Sequence, residues 1–284
     1  MIEFHKYEGA GNDFIMINNL KGDIKLKPER IKFLCDRHFG IGADGIILLE
    51  KSDKADLSRR SSEAKADCFM NYYNSDGTVA EMCGNGVRCL AKFFLEQTKS
   101  HQKELAIDTR AGIKKIKINK DDTYFVNMGV PVFTHSDFPS GKLNIEGLTF
   151  ECVSMGNPHA VVMVDSLDGY DVASIGPEIE KDYHFPNKIN VEFFEKINEN
   201  YFKVKMWERG CGETLACGTG ACAVYAILKN SEPPLPPKRL ASPKQGLGEI
   251  TLEFPGGKLF LSQNHEGEII LRGPAKFVFE GKIK

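Results

Sequence analysis

Cys83-Gly84-Asn85-Gly86, leading into the apolar run Val87–Leu95, and Cys217-Gly218-Thr219-Gly220, leading into Ala221–Leu228, are one pattern written twice. In each, glycine and a small polar residue open a stretch whose apolar residues recur at helical spacing, which predicts helices over Gly84–Glu96 and Gly218–Lys229. Nine positions before each cysteine stands a polar residue, Asn74 in one half and Glu208 in the other. Further upstream each half carries a Gly-Asn pair, Gly11-Asn12 and Gly156-Asn157. Nothing recurs at the roughly 20–50 residues of a solenoid. The chain reads as one domain plan, duplicated.

Between these landmarks short strand-like runs dominate: Ile2–Lys6, Phe14–Asn18, Gly45–Glu50, Cys68–Tyr73, Leu105–Thr109, Ile113–Ile118, Phe125–Met128, Ala160–Val164, Val191–Lys196, Tyr201–Trp207, Ile250–Phe254, Lys258–Ser262 and Ile269–Leu271. Lys203-Val204-Lys205-Met206-Trp207 alternates polar and apolar, the mark of a strand with one buried face. A third helix is predicted over Pro28–Arg37, its proline suited to a first turn. Many strands with scattered helices argue for α+β with mostly antiparallel sheet. Pro131, Pro139 and Gly141 break the pattern near the midpoint and suggest two halves. Lys51–Ala66, charged and serine-rich, reads as a solvated loop between strands, and Ser231–Lys238 as a proline-rich connection that ends the second glycine-led helix.

The chain has 284 residues, 42% of them hydrophobic, enough for a packed core in one large domain or two smaller ones. Lys plus Arg (37) nearly cancel Asp plus Glu (39), for a net charge of −2, so nucleic acid is not the expected partner. The longest apolar stretches, such as Ile46–Leu49 and Ala160–Val164, fall far short of the ~20 residues of a membrane helix, and Met1–Lys6 holds no apolar signal core. The expected location is the cytoplasm, where eight cysteines stay reduced. Cys35, Cys68 and Cys152 read as small core hydrophobes, and Cys89, Cys211 and Cys222 as packing residues, with Trp207 a core anchor.

Gly40-Ile41-Gly42-Ala43-Asp44-Gly45 matches the dinucleotide-binding string, but it follows a helix and precedes a strand, the reverse of what the phosphate site requires. The cysteine spacings, C-x₅-C twice and C-x₄-C once, suit neither a zinc knuckle nor a dithiol redox pair, so no metal is expected. Cys83 and Cys217 remain. Each stands at a helix start whose free N–H groups favour an anion, which should lower the thiol pKa from about 8.5 towards neutrality. Two such thiols, one from each half and facing each other, suit inversion at carbon: one thiolate takes an α-proton while the other thiol delivers one to the opposite face. The N–H groups of Gly84-Asn85 and Gly218-Thr219 would then stabilise the charge developing on the substrate carboxylate, without an electron-sink cofactor.

At these residues the chain resembles the diaminopimelate epimerase family. The resemblance is carried by Gly9-Ala10-Gly11-Asn12-Asp13-Phe14, Asn74-Ser75-Asp76-Gly77, Glu81-Met82-Cys83-Gly84-Asn85-Gly86-Val87-Arg88-Cys89 and Gly156-Asn157-Pro158-His159. It continues through Asn190-Val191-Glu192-Phe193, Trp207-Glu208-Arg209-Gly210-Cys211-Gly212-Glu213-Thr214 and Ala216-Cys217-Gly218-Thr219-Gly220-Ala221, in that order along the chain. Gly273-Pro274-Ala275 and Phe277-Val278-Phe279-Glu280-Gly281 look like the family's C-terminus.

The resemblance implies a cofactor-independent enzyme converting LL-diaminopimelate to the meso form, which feeds lysine and peptidoglycan synthesis. It implies Cys83 and Cys217 as acid and base, assisted by His159 and Glu208. Asn12, Asn74, Asn157, Asn190 and Arg209 would bind the distal amino acid end, Arg209 forking onto its carboxylate. The implied fold is two pseudo-symmetric domains, each a curled sheet around a central helix: residues 1–130, joined by 270–284, and residues 131–269. A homodimer is implied as well. Glu8 and Ala10 stand where the family varies, the Lys51–Ala66 loop is longer than many relatives need, and Gly45 replaces a polar side chain of some relatives. The rival readings are a proline or hydroxyproline racemase using the same cysteine pair, which would have little use for the distal polar set, and a non-catalytic thiol redox or metal-binding protein.

Overall fold

In the computed structural model, which describes residues 1–53, 66–231 and 248–284, the alternating runs form strands and the chain divides into two units. Met1–Asn127 with Arg272–Lys284 make the first and Met128–Leu271 the second. The chain opens β1 (Ile2–Gly9), β2 (Asn12–Asn18), α1 (Pro28–Cys35), β3 (Gly45–Glu50), β4 (Cys68–Asn74), α2 (Gly84–Thr98), β5 (Glu104–Asp108), β6 (Lys114–Ile118) and β7 (Thr123–Gly129). It continues as β8 (Lys142–Ile145), β9 (Leu148–Ser154), β10 (Pro158–Val164), α3 (Val172–Glu180), β11 (Asn190–Asn198), β12 (Tyr201–Glu208), β13 (Gly212–Glu213) and α4 (Gly218–Asn230). β14 (Ile250–Phe254), β15 (Gly257–Gln263) and β16 (Ile269–Pro274) follow, and β17 (Lys276–Ile283) returns to the first unit to pair with β1. The charged Lys51–Ala66 loop and the Ser231–Lys238 connection fall largely on residues 54–65 and 232–247, outside the described residues.

Both units follow the same pairing rule. In the first, β1–β2 is antiparallel, β2–β3 parallel, β3–β4 antiparallel, β4–β5 parallel and β5–β6 antiparallel. In the second, β9–β10, β10–β11, β11–β12, β12–β14 and β14–β15 repeat that alternation step for step. The registers agree too: Phe14 lies opposite Gly45 and Ile46 opposite Tyr73, as His159 lies opposite Asn190 and Val191 opposite Trp207. The sheets are mostly antiparallel, with the parallel steps placed alike.

Each sheet wraps a helix. Residues Gly84–Ala91, Phe93 and Phe94 of α2 are buried, against β1 to β5, and Gly220–Ile227 of α4 against β9, β10, β11 and β15. Such burial suits the apolar composition of α4, whose one charge is Lys229 at its end, while α2 also buries Arg88. Separate apolar clusters fill the rest: Ile15, Ile17, Ile31, Leu34, Ile46 and Leu48 in the first unit, Phe150, Val162, Val191 and Phe193 in the second.

The structure departs from the sequence expectations at several elements. α1 stops at Cys35 instead of Arg37, because Asp36 turns extended and its Oδ1 accepts the N–H groups of His38 and Phe39, both at 2.7 Å. α3 forms although Gly176 and Pro177 interrupt its pattern. Gly176 is required there, since a Cβ would lie 2.6 Å from the Trp207 side chain. β8 and β9 form a hairpin about Glu146-Gly147, both at positive φ (51° and 76°), the two-residue turn that twists with its strands. Cys211 is not a packing residue: held in a turn between Gly210 (φ 76°) and Gly212 (φ 95°), it is exposed. Cys35, Cys68, Cys89, Cys152 and Cys222 are buried as expected. No helix among the described residues is long and apolar enough to cross a membrane.

Candidate active site

In the first unit, Cys83 is the N-cap of α2, with extended backbone (φ −137°, ψ 125°). Its sulfur accepts the Gly86 N–H at 3.4 Å, and its S–H faces Asn12 Oδ1, also at 3.4 Å. A Cβ on Gly86 would meet Ile47 Cδ1 at 2.8 Å, so the motif's second glycine lets the helix start settle onto β3. Arg88, fully buried, reaches back to Gly84 O (3.0 Å), Asn85 Oδ1 (2.8 Å) and Pro274 O (3.1 Å). Its guanidinium therefore braces the first turn from inside while the N–H groups of Gly84 and Asn85 point along the helix start. Asn74, at the end of β4, donates to Thr78 Oγ1 at 3.0 Å.

Asn12 is held from behind. Its Nδ2 donates to Asp44 Oδ2 at 2.5 Å, and the Arg37 guanidinium bridges Asp13 (2.8 Å) and Asp44 (2.7 Å). The ammonium of buried Lys6 pairs with Asp13 at 2.7 Å. Burial pushes the Asp13 carboxyl up, but the Arg37 and Lys6 cations outweigh it and hold it down at about 2. Asp44 moves the other way, raised by burial and by the neighbouring Asp13 charge. At Gly45 a Cβ would lie 2.5 Å from the Tyr73 carbonyl oxygen, so no side chain fits there.

In the second unit, Cys217 caps α4 with the same extended backbone (φ −126°, ψ 128°). Its sulfur lies 3.2 Å from Thr219 Oγ1. From there a chain of short contacts runs inward: Asn157 Nδ2 donates to Thr219 Oγ1 at 3.3 Å, His159 Nε2 lies 3.1 Å from Asn157 Oδ1, and His159 Nδ1 lies 2.7 Å from Glu192 Oε1. His159 and Glu192 are both fully buried. A Cβ on Gly220 would stand 2.6 Å from Glu192 Oε1, which explains the second glycine of this motif. Glu192 Oε2 has no hydrogen-bond partner among the described residues, an arrangement that costs about 1–3 kcal/mol against an apolar side chain there.

Glu208 closes β12 and accepts the Thr214 hydroxyl at 2.5 Å. Asn190 braces the adjoining backbone, donating to Pro158 O at 2.8 Å and accepting the Arg209 N–H at 3.0 Å. The Arg209 side chain is exposed, with one guanidinium N–H on Asn187 O at 3.2 Å. Beneath this turn Glu180, on α3, accepts Trp207 Nε1–H at 2.7 Å and Gly210 N–H at 3.1 Å.

The expected lowering of the cysteine pKa does not hold at Cys217. Burial, and next the Glu208 carboxylate, push its thiol well above the ordinary value, and the Thr219 hydroxyl opposes them only in part. A helix start attracts a thiolate, but desolvation beside a carboxylate repels it more strongly. Cys217 therefore rests as the thiol. Sequence reading also passed over Asp44, Glu180 and Glu192 as site residues. Glu192 had a visible signal: two positions from Asn190 on a strand, it shares that residue's face.

The model of the diaminopimelate epimerase family matches residues 4–134 and 151–278. A diaminopimelate epimerase of Teredinibacter turnerae is 37% identical over 298 residues, covering 100% of this chain and 99% of its own. Among solved structures, a phenazine biosynthesis protein of the PhzF family from Bacillus anthracis matches with a TM-score of 0.68 at 18% identity, covering 100% of this chain and 99% of that one. A hydroxyproline epimerase from Agrobacterium vitis, with bound trans-4-hydroxy-L-proline, matches with a TM-score of 0.64 at 15% identity, covering 99% and 90%. At those identities the two structures speak for the fold alone.

Proposed function

The chain belongs to the diaminopimelate epimerase family, and on that premise we propose that it converts LL-2,6-diaminopimelate to the meso form by two-base proton exchange, in lysine and peptidoglycan precursor synthesis. The observation that carries the mechanism is the repeated construction: one cysteine per unit, each the extended N-cap of a buried, glycine-led helix. Inversion at the α-carbon needs one group to take the proton and another to return one to the opposite face. Cys83 and Cys217 are assigned those roles, with Cys217 entering as the thiol. The N–H groups of Gly84, Asn85, Gly218 and Thr219 would take the charge that builds on the α-carboxylate, worth about 3 kcal/mol per lost donor in comparable oxyanion sites. No cofactor is needed for that step.

His159 and Glu208 are assigned to assist the two cysteines, and Asn12, Asn74, Asn157, Asn190 and Arg209 to the substrate's distal end, where the exposed Arg209 guanidinium suits a carboxylate. A second copy as partner is supported by Phe277, Val278 and Phe279, which leave three consecutive apolar side chains of β17 about half exposed. A reducing cytoplasm keeps both thiols usable.

Incubation with LL-diaminopimelate in D₂O should place deuterium at the α-carbon, read by mass spectrometry. Cys83→Ala and Cys217→Ala should each lose more than about a hundredfold in epimerisation. Substantial residual inversion in either variant, or turnover of proline in place of diaminopimelate, would sink the assignment.

A further inference from the structure

Because the two units share strand order and register, their side chains can be compared position by position. Phe14 opposite Gly45 corresponds to His159 opposite Asn190, and two residues along β3 and β11 lie Ile47 and Glu192. The helices confirm the match: Gly86 rests on Ile47 where Gly220 rests on Glu192. All four side chains, Phe14, Ile47, His159 and Glu192, are fully buried. One unit builds this place from an apolar pair and the other from an ionisable one, so the fold itself does not demand the acid.

We propose that Glu192 is a positioning residue that, through His159, fixes the direction of a hydrogen-bond chain ending on the Cys217 sulfur. The proposal rests on the epimerase reading of that cysteine. The direction follows from donor counting. As a carboxylate Glu192 offers only acceptors, so His159 Nδ1–H donates to it, across 2.7 Å. Asn157 spends its Nδ2–H on the Thr219 oxygen, which turns its Oδ1 to His159 and makes Nε2–H a donor as well. Both ring nitrogens then face acceptor oxygens. Thr219 accepts from Asn157 and keeps its single O–H free to turn to the sulfur, 3.2 Å away, when a thiolate forms there. Each link orients the next, so that a thiolate formed during turnover meets a donor.

Without the carboxylate nothing holds the Nδ1 proton. The ring can become neutral and accept at Nε2, Asn157 can reverse its amide, and Thr219 can turn its hydroxyl away. A purely structural Glu192 would leave ring protonation unaffected.

The test is ¹⁵N NMR of protein labelled at histidine, with His159→Asn identifying the His159 signals. Wild type should show both His159 ring nitrogens protonated at neutral pH, and Glu192→Gln should show one of them bare. Glu192→Gln should also lower kcat about tenfold with KM changed less than twofold, and Glu192→Asp should recover part of the loss. The double variant His159→Phe/Glu192→Ile installs the first unit's apolar pair; it should melt no earlier than wild type and lose at least as much kcat as Glu192→Gln. A neutral His159 ring in wild type, ring signals unchanged in Glu192→Gln, or kcat unchanged in that variant would overturn the proposal. Wild type inactive on diaminopimelate would instead overturn the epimerase reading, and the role of Glu192 would be judged on the ring signals alone.

Discussion

Lys6 is buried to 5% exposure, and there Asp13 and the Gly42 carbonyl receive its ammonium. Asp13→Asn would leave that ammonium short of its counter-charge, and urea unfolding should register a loss of about 3 kcal/mol. The same pair gives stability a pH dependence. The Asp13 carboxyl sits at about 2 in the fold against 3.8 ordinarily, so its contribution, roughly 2 kcal/mol, is complete above pH 4 and fades as pH falls through 2. Asp13→Asn should flatten that limb of a Tm-against-pH curve. At Cys217 the sign runs the other way: removing the Glu208 charge by Glu208→Gln takes away a force that favours the thiol. Alkylation of Cys217, followed by peptide mass mapping, should then begin at lower pH than in wild type. The importance of Cys83 and Cys217 is legible in the sequence because each sits in a repeated motif. The thiol state of Cys217 is not, because it depends on burial and on a carboxylate nine residues away that only the fold brings close. Cys211 misleads for the converse reason: among so many buried thiols, nothing but the two flanking positive-φ glycines marks it as a turn residue.

Among the elements, α3 controls a turn it does not contain. Its last residue, Glu180, binds both Trp207 and Gly210 and so clamps the stretch that carries Glu208 and Arg209. Burial raises the Glu180 carboxyl, but those two N–H groups and Lys188 hold it below its ordinary value, so the clamp is set at neutral pH and released in acid. Glu180→Ala should cost about 2 kcal/mol, the scale of hydrogen bonds to a buried charge, and raise KM more than it lowers kcat, since Arg209 is assigned to binding. Steady-state kinetics beside thermal melting would check both. α3 itself was missed: a glycine and a proline at its centre argue against a helix, while the Asp171 N-cap, whose Oδ1 accepts the Ser174 N–H at 3.2 Å, and the Trp207 ring lying against Gly176 favour it. The β8–β9 hairpin was hidden by a similar signal, since Pro139 and Gly141 read as a break just before it, while the two-residue turn at Glu146-Gly147 is what makes the hairpin.

For the whole molecule, the duplicated plan was readable because both copies keep their cysteine, glycine and upstream polar positions. The residues of β17 do not by themselves show its partner, since Phe277-Val278-Phe279 shows no alternation; only the family resemblance joins 270–284 to the first domain. Yet that strand covers one edge of β1, residue against residue from Ile2–Ile283 to Glu8–Lys276. Deleting residues 276–284 should strip hydrogen-exchange protection from β1 and α2 while α4 keeps its own, a contrast that exchange mass spectrometry resolves.

That closing strand also sets an order of events during synthesis. A ribosome makes β1 first and must then translate all of the second unit before it reaches β17. The half encoded second has its complete set of strands while the half encoded first still waits, with one margin of its opening strand bare. A nascent chain is thus most vulnerable to sticking to its neighbours along β1, for as long as the second unit takes to make.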